Sequence, residues 1–374
     1  KKTDENSGSK SRQYVRSLKL CAELLYEMNK FHDSIGICLH VLTVLDQSEY
    51  SDYCLEEKVY IYLCLGQAYS KIKNSEKSQQ AVHLAINAAK ELYGESHHVI
   101  SIVLSNSAEA MRSVEKFDIA QNFKNEAIKI YNSLDGSSQA QLLTMESGLG
   151  LIFFENGKVN RKSKELGRDK ILQTYKRFES LREELKSQSD YINYSTCVNN
   201  YAEILNSVDE YNFEDIEVLY LRECLPFLKK AKCQYSDKLI SISYHNLSKS
   251  ILLAISYNVH MTFGYTKEEI YSKALRYLNK SLQHQLKFLS DLQSIDVCAI
   301  LITVSHCFFG LGLFMQAIKI IDKARIIMEN IFIGLGINKH NLLLEKESIL
   351  HIYYDTISFL ITVYRKLVNS ERKK

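Results

Sequence analysis

Apolar positions recur along this chain every three or four residues, in stretches parted by short polar breaks, which is the pattern of amphipathic helices. In YVRSLKLCAELLYEMNKFHDSIGICLHVL, Leu18, Cys21, Ala22 and Leu25 fall on one helical face. A turn is expected at Asn29-Lys30, and Phe31, Ser34, Cys38 and Val41 then line a second helix. The arrangement returns in KVYIYLCLGQAYSKIKNSEKSQQAVHLAINAA, with Tyr62, Leu65, Gly66 and Tyr69 before Ser78, Val82 and Ala85. It returns again with Leu104, Ala108 and Met111 before Phe117, Ala120 and Ala127. The small residues at matching places, Ala22, Gly66 and Ala108, stand 44 and 42 residues apart.

Four further units follow. The fourth centres on Gly150, Phe153 and Gly157, the fifth on Ala202 in VNNYAEIL, and the sixth on Ser248 in YHNLSKSIL with Ala274 inward on its second helix. The seventh is SHCFFGLGLFMQAIKIIDKA, with Phe308, Gly312, Phe314, Ala317, Ile321 and Ala324. Spacings widen to 52 residues from Gly150 to Ala202, then 46 to Ser248 and 57 to Ser305. The extra residues are expected in links near 161–188, 208–215, 258–265 and Asp291. KSKELGRDKILQTYKRFESLREELKSQ reads as a long charged helix, either a solvated face or a partner-binding one. Pro226 is expected to start or kink a helix. Small residues let the two helices of a pair approach, and large ones fill the space to the next pair. One pair cannot cover its own apolar faces, so pairs must stack. The expected fold is therefore all-α, an α-solenoid: a disordered polar tail over 1–12, about seven helix pairs over 13–330, and closing helices with a basic tail over 331–374.

Composition agrees. Proline occurs once and glycine 14 times in 374 residues, too few turn-formers for a sheet protein with many loops. A net charge of +3, with no basic stripe, gives no reason to expect nucleic acid as a partner. Nine cysteines, an odd number with no CxxC pair, read as buried thiols in a reducing compartment rather than a disulfide framework. No secretory leader is visible at this N-terminus. The apolar run Cys298 to Met315 is interrupted by Ser305 and His306 and reads as a buried helix rather than a membrane span.

The order small–x–x–aromatic, then G/N–x–F/Y–x–x–A, is similar to the tetratricopeptide repeat. That resemblance covers about residues 14 to 330 and implies a right-handed superhelix of antiparallel pairs. The spacing of about 42 residues resembles the kinesin light chain subgroup. ELYGESHHVISIVLSNSAEA, Glu91 to Ala110, resembles that subgroup's link between repeats, with His98 where the family has proline. In that family, asparagines on the first helix of each pair face a concave groove and hold the backbone of an extended peptide. The matching positions here are Asn106, Asn200 and Asn246, with Asn199 beside one of them. An amide both donates and accepts, so it can satisfy a peptide bond without reading sequence. The competing reading is that each asparagine caps or bonds locally. Thr303 and Cys64 take the equivalent places in the seventh and second units.

GxSxG is absent, GLGINK lacks the spacing of a phosphate loop, and the adjacent His97 and His98 diverge on a helix. No metal, no cofactor and no enzymatic activity are expected. The sequence points to a protein-interaction scaffold or adaptor in the cytoplasm, and the light-chain resemblance implies a place in a cytoskeletal or ciliary assembly. Its expected partners are other proteins or an extended peptide, with no nucleic acid and no membrane span. The competing expectation is a regulatory sensor whose curvature changes when a peptide binds.

Overall fold

The computed structural model describes residues 2–27, 30–46, 51–134, 138–157, 161–185, 187–206, 212–233, 235–289, 294–334 and 356–366. Among them every regular element is a helix and no strand occurs. The chain divides into two compact units, Lys1–Lys170 and Ile171–Lys374. Each is a stack of antiparallel helix pairs, the architecture of a tetratricopeptide-like α-solenoid.

In the first unit α1 (Lys2–Glu27) pairs with α2 (Phe31–Asp46), and α3 (Ser51–Lys71) with α4 (Ser75–Tyr93). Next come α5 (His98–Ser113) with α6 (Phe117–Asn132), and α7 (Gln139–Asn156) with the start of α8 (Arg161–Ser180). Helix α1 takes in residues 2–12, the segment expected to be a disordered tail. Proline is absent there and nothing in the composition breaks a helix beyond Gly8.

The helices of a pair meet at two small residues. Ser34 Oγ donates to the Ala22 carbonyl and Ser78 Oγ to the Gly66 carbonyl, each at 2.8 Å across 12 residues of sequence. Ala108 and Ala120, fully buried, hold the same places in the third pair. A Cβ on Gly66 would lie 2.6 Å from Val82 Cγ1, so the Val82 side chain fills the space that a larger residue there would need. Larger side chains cover the faces between pairs. Ile61 and Leu65 pack with Cys38, Val41 and Leu45, and Ile152 of α7 packs with Ala108, Met111 and Ala120.

The tight turns within pairs repeat as well. Lys73 and Glu115 adopt left-handed backbone at φ 58° and 60°. The following amides reach back five residues, Asn74 N to Tyr69 O at 3.0 Å and Lys116 N to Met111 O at 2.9 Å, which satisfies carbonyls at the helix end. Lys30 N bonds to Leu25 O in the same way; Asn29 lies outside the described residues. A charged cluster ties three helices together. Lys124, with its side chain 3% exposed, bonds to Glu109 at 2.8 Å and Ser105 Oγ at 2.9 Å, and Arg112 joins Glu109 to Glu155.

The second unit begins with the rest of α8, where Ile171, Tyr175 and Phe178 are buried. Tyr175 stacks on Tyr201 of α9 (Gln188–Leu205) at 4.4 Å, and Phe178 meets the edge of Tyr194. A capping box, Ser187 with Asp190, starts α9. Its partner is one helical stretch in three parts: α10 (Phe213–Val218), a π-helical turn (Leu219–Cys224) and α11 (Leu225–Ala231). Pro226 explains the wide turn. It has no N–H to return to the carbonyl four residues back, that of Arg222, which lies within the π turn.

Helices α12 (Ser236–Ser256) and α13 (Lys267–Phe288) form the next pair. Ser241 and Ser281 donate to each other's carbonyl, at 2.9 and 2.8 Å. The longer link between these helices holds a short 3-10 turn (Val259–Met261), within the stretch where extra residues were expected. The last pair is α14 (Ile295–Gly310) with α15 (Phe314–Gly334), where Ser305 Oγ donates to the Ala317 carbonyl at 2.8 Å. Gly312 supplies the left-handed turn residue, with Leu313 N bonding to Phe308 O. A final helix, α16 (356–366), lays Val363 against Ala317 and Ile318, and its Phe359 stacks on His306 at 3.8 Å. The remaining residues beyond 334, like those around Asp291, lie outside the described residues.

All nine cysteines are free thiols, and Cys38 is hydrogen-bonded to Cys64. Among the described residues no helix is long and apolar enough to cross a membrane.

Candidate partner-binding face

The first helices of successive pairs lie side by side, α3 against α5 and α5 against α7. The second helices pack behind them. Side chains on the open side of the first helices are thus collected into one face within each unit. Asn106, half-buried on α5, belongs to the first unit; Asn199, Asn200 and Asn246 belong to the second.

The structure gives these asparagines different surroundings. Asn199 Nδ2 donates to Ser195 O at 2.9 Å and to Cys224 Sγ at 3.3 Å, with Ser243 Oγ at 3.4 Å. Its amide therefore locks α9 to the π turn and to α12. Asn246 hydrogen-bonds the hydroxyl of Tyr220, itself buried in the π turn. For these two, local bonding describes the amide well. Asn200 is half-buried on α9 next to Asn199. Of the equivalent positions, Thr303 on α14 bonds to His245 Nε2 at 3.0 Å, which ties α12 to α14.

Sequence reasoning did not foresee the recess between α12 and α14. It has a volume of 640 Å³, within the range that ligand pockets occupy. Leu252, Leu253, Ile302 and Phe309 make much of its wall, and Phe359 of α16 closes one side. Asn206, Lys249, Ser256, Tyr271, Thr303 and His306 are its polar members. The apolar run from Cys298 had suggested a helix covered all round. Instead Ile302, Thr303 and Phe309 of α14 are only half-buried and open into this recess. Only the i, i+1, i+7 spacing of those three hints at a second apolar face.

Electrostatics around the recess favour neutral rings beside one cation. Burial, helped by the charge of Lys249, lowers the His245 pKa to about 4. Burial also lowers that of His306. Lys249 stands at the solvent-exposed rim, yet enough protein crowds its ammonium to lower its own pKa, with Glu203 pulling the other way. Among the described residues no group of three or more His, Cys, Asp or Glu is placed to hold a metal ion.

No protein-family model matches the chain, and no curated protein does. Solved structures do. BtubC (BKLC) from P. vanneervenii is similar at 16% identity, over 62% of this chain and 83% of that one, with a TM-score of 0.43. A Podosopora anserina putative kinesin light chain with nearly identical TPR-like repeats is similar at 13% identity, over 59% of this chain and 97% of that one, with a TM-score of 0.40. A Rap protein complexed with Competence and Sporulation Factor is similar at 12% identity, over 96% and 99%, with a TM-score of 0.46. With identities under 25% and TM-scores under 0.5, these likenesses carry no argument about this chain, and its class rests on its own stacked helix pairs. The class is an all-α repeat protein resembling tetratricopeptide-like repeat proteins in general.

Proposed function

We propose that this chain is a protein-interaction scaffold that holds an extended segment of a partner against the first helices of its pairs. The observation that supports this most is the 640 Å³ recess between α12 and α14, which opens among first-helix side chains and combines apolar walls with amide, hydroxyl and ammonium groups. Asn106 and Asn200 are the asparagines we assign to backbone contacts with the partner. Asn246 would contribute there only by sharing its amide with Tyr220, and Asn199 by its oxygen, which has no hydrogen-bond partner. A placement in a cytoskeletal or ciliary assembly is the narrower form of this reading. Its support is the light-chain-like link Glu91 to Ala110. A peptide sensor is the second reading, favoured by one feature: Phe359 both lines the recess and seats α16, so an occupant would touch a helix that closes the stack.

A photo-cross-linking residue at Asn200 tests the scaffold reading, with one at Leu84, exposed on the second helix α4, as control. Partner adducts should form at 200 and not at 84. Equal adducts at both would retire the first-helix face as the binding face.

A further inference from the structure

The recess between α12 and α14 has a chemistry more specific than an apolar trough. Among the described residues that line it, Lys249 is the one charged side chain. The carboxylate that acts on Lys249, Glu203, belongs to α9 rather than to the recess, and no carboxylate stands among the described residues that line the recess, so the ammonium is open to an anion there. His306 lines the recess and His245 lies behind Thr303, and both are neutral at pH 7, so neither competes for that anion. Asn206, at the end of α9, also lines the recess, and its Oδ1 is buried with no hydrogen-bond partner. A buried acceptor of this kind is costly until an N–H reaches it. The recess thus offers apolar volume, one cation and one amide oxygen in need of a donor.

We propose that it takes a peptide segment in which a bulky apolar side chain stands next to a carboxylate-bearing residue. The apolar group fills the space between Leu253, Ile302 and Phe359. The carboxylate meets Lys249, and a backbone N–H of the segment donates to Asn206 Oδ1. A free fatty acid would satisfy the first two groups and leave the third unmet, which separates the two sources. This rests on the first-helix face being the binding face, and adds what the partner must carry.

The test uses the full chain and three fluorescein-labelled, C-amidated nonapeptides in a Gly-Ser background, with Leu-Glu, Leu-Gln or Ala-Glu at the centre. Fluorescence polarisation should find the Leu-Glu peptide bound about tenfold more tightly than either of the others, the difference expected for one charge-assisted contact or one buried side chain. Lys249→Gln should erase the preference for Glu over Gln and keep that for Leu over Ala. Ile302→Glu, with its helical spectrum unchanged, should abolish binding. Equal binding of the Glu and Gln peptides, no binding of any peptide, or octanoate competing as well as the unlabelled Leu-Glu peptide would each overturn the proposal. Partner adducts at position 200 that persist undiminished in Ile302→Glu would overturn it too, while leaving the scaffold reading intact. Their absence from the unaltered chain sinks the scaffold reading instead.

Discussion

Ser34, Ser78 and Ser305 each spend their hydroxyl on a carbonyl of the facing helix, at the point where two backbones come closest. Ser78→Ala should therefore cost about 1 kcal/mol in denaturant unfolding, the net worth of one such bond. Gly66→Leu should cost about 1–3 kcal/mol or more, because Val82 already stands where the new Cβ would go. The turn residues make a sharper pair of tests. Glu115 sits at φ 60° where a side chain is strained, and Glu115→Gly should gain about 1 kcal/mol. Gly312→Ala, at φ 74° in open space, should lose about as much, since only the backbone objects. His245 carries a pH prediction. Its ring protonates near pH 6.5 in the unfolded chain but only near 4 in the fold. Between those values the unfolded state holds more protons, so stability falls on acidification from 6.5 to 4, by at most about 3 kcal/mol. His245→Gln should flatten that part of the stability profile measured by urea unfolding at stepped pH.

The second-helix stretch from α10 to α11 shows where an element outgrows its pattern. Its π turn turns Tyr220 toward Asn246 and Cys224 toward Asn199, so one asparagine at a family-like position and one beside another became internal struts. Tyr220→Phe and Asn246→Ala should therefore couple by about 1 kcal/mol in a double-mutant cycle of stability. Additive effects would mean that Asn246 serves something else. The pairing of helices was legible because it rests on a repeated local rule: Ala22 with Ser34, Gly66 with Ser78 and Ser305 with Ala317 lie the same 12 residues apart. Much of the site was not. Nothing local in VNNYAEIL says that Asn199 will meet Cys224, 25 residues on, because an irregular turn decides it. The recess was hidden for a related reason. Its walls come from the end of α9 and from α12, α13, α14 and α16, and a window along the chain sees only one of them at a time.

Contacts in each unit run between neighbouring helices, so stability is a sum of pairs and their interfaces rather than the property of a single core. Truncation after residue 355 removes α16 and uncovers Ala317 and Ile318. Amide exchange should then quicken in α14 and α15 while α3 and α4 keep their protection, as judged by mass spectrometry. Uniform loss of protection would mean that the chain unfolds as one body. The same neighbour-only bonding has a mechanical consequence. A fold held by distant strands resists pulling until it ruptures, whereas here the end helices have one neighbour fewer than the rest. Stretched between two tethers, each unit should pay out length in small steps of one hairpin at low force, and rewind when the tension drops, so that a partner could tug on this chain without tearing it.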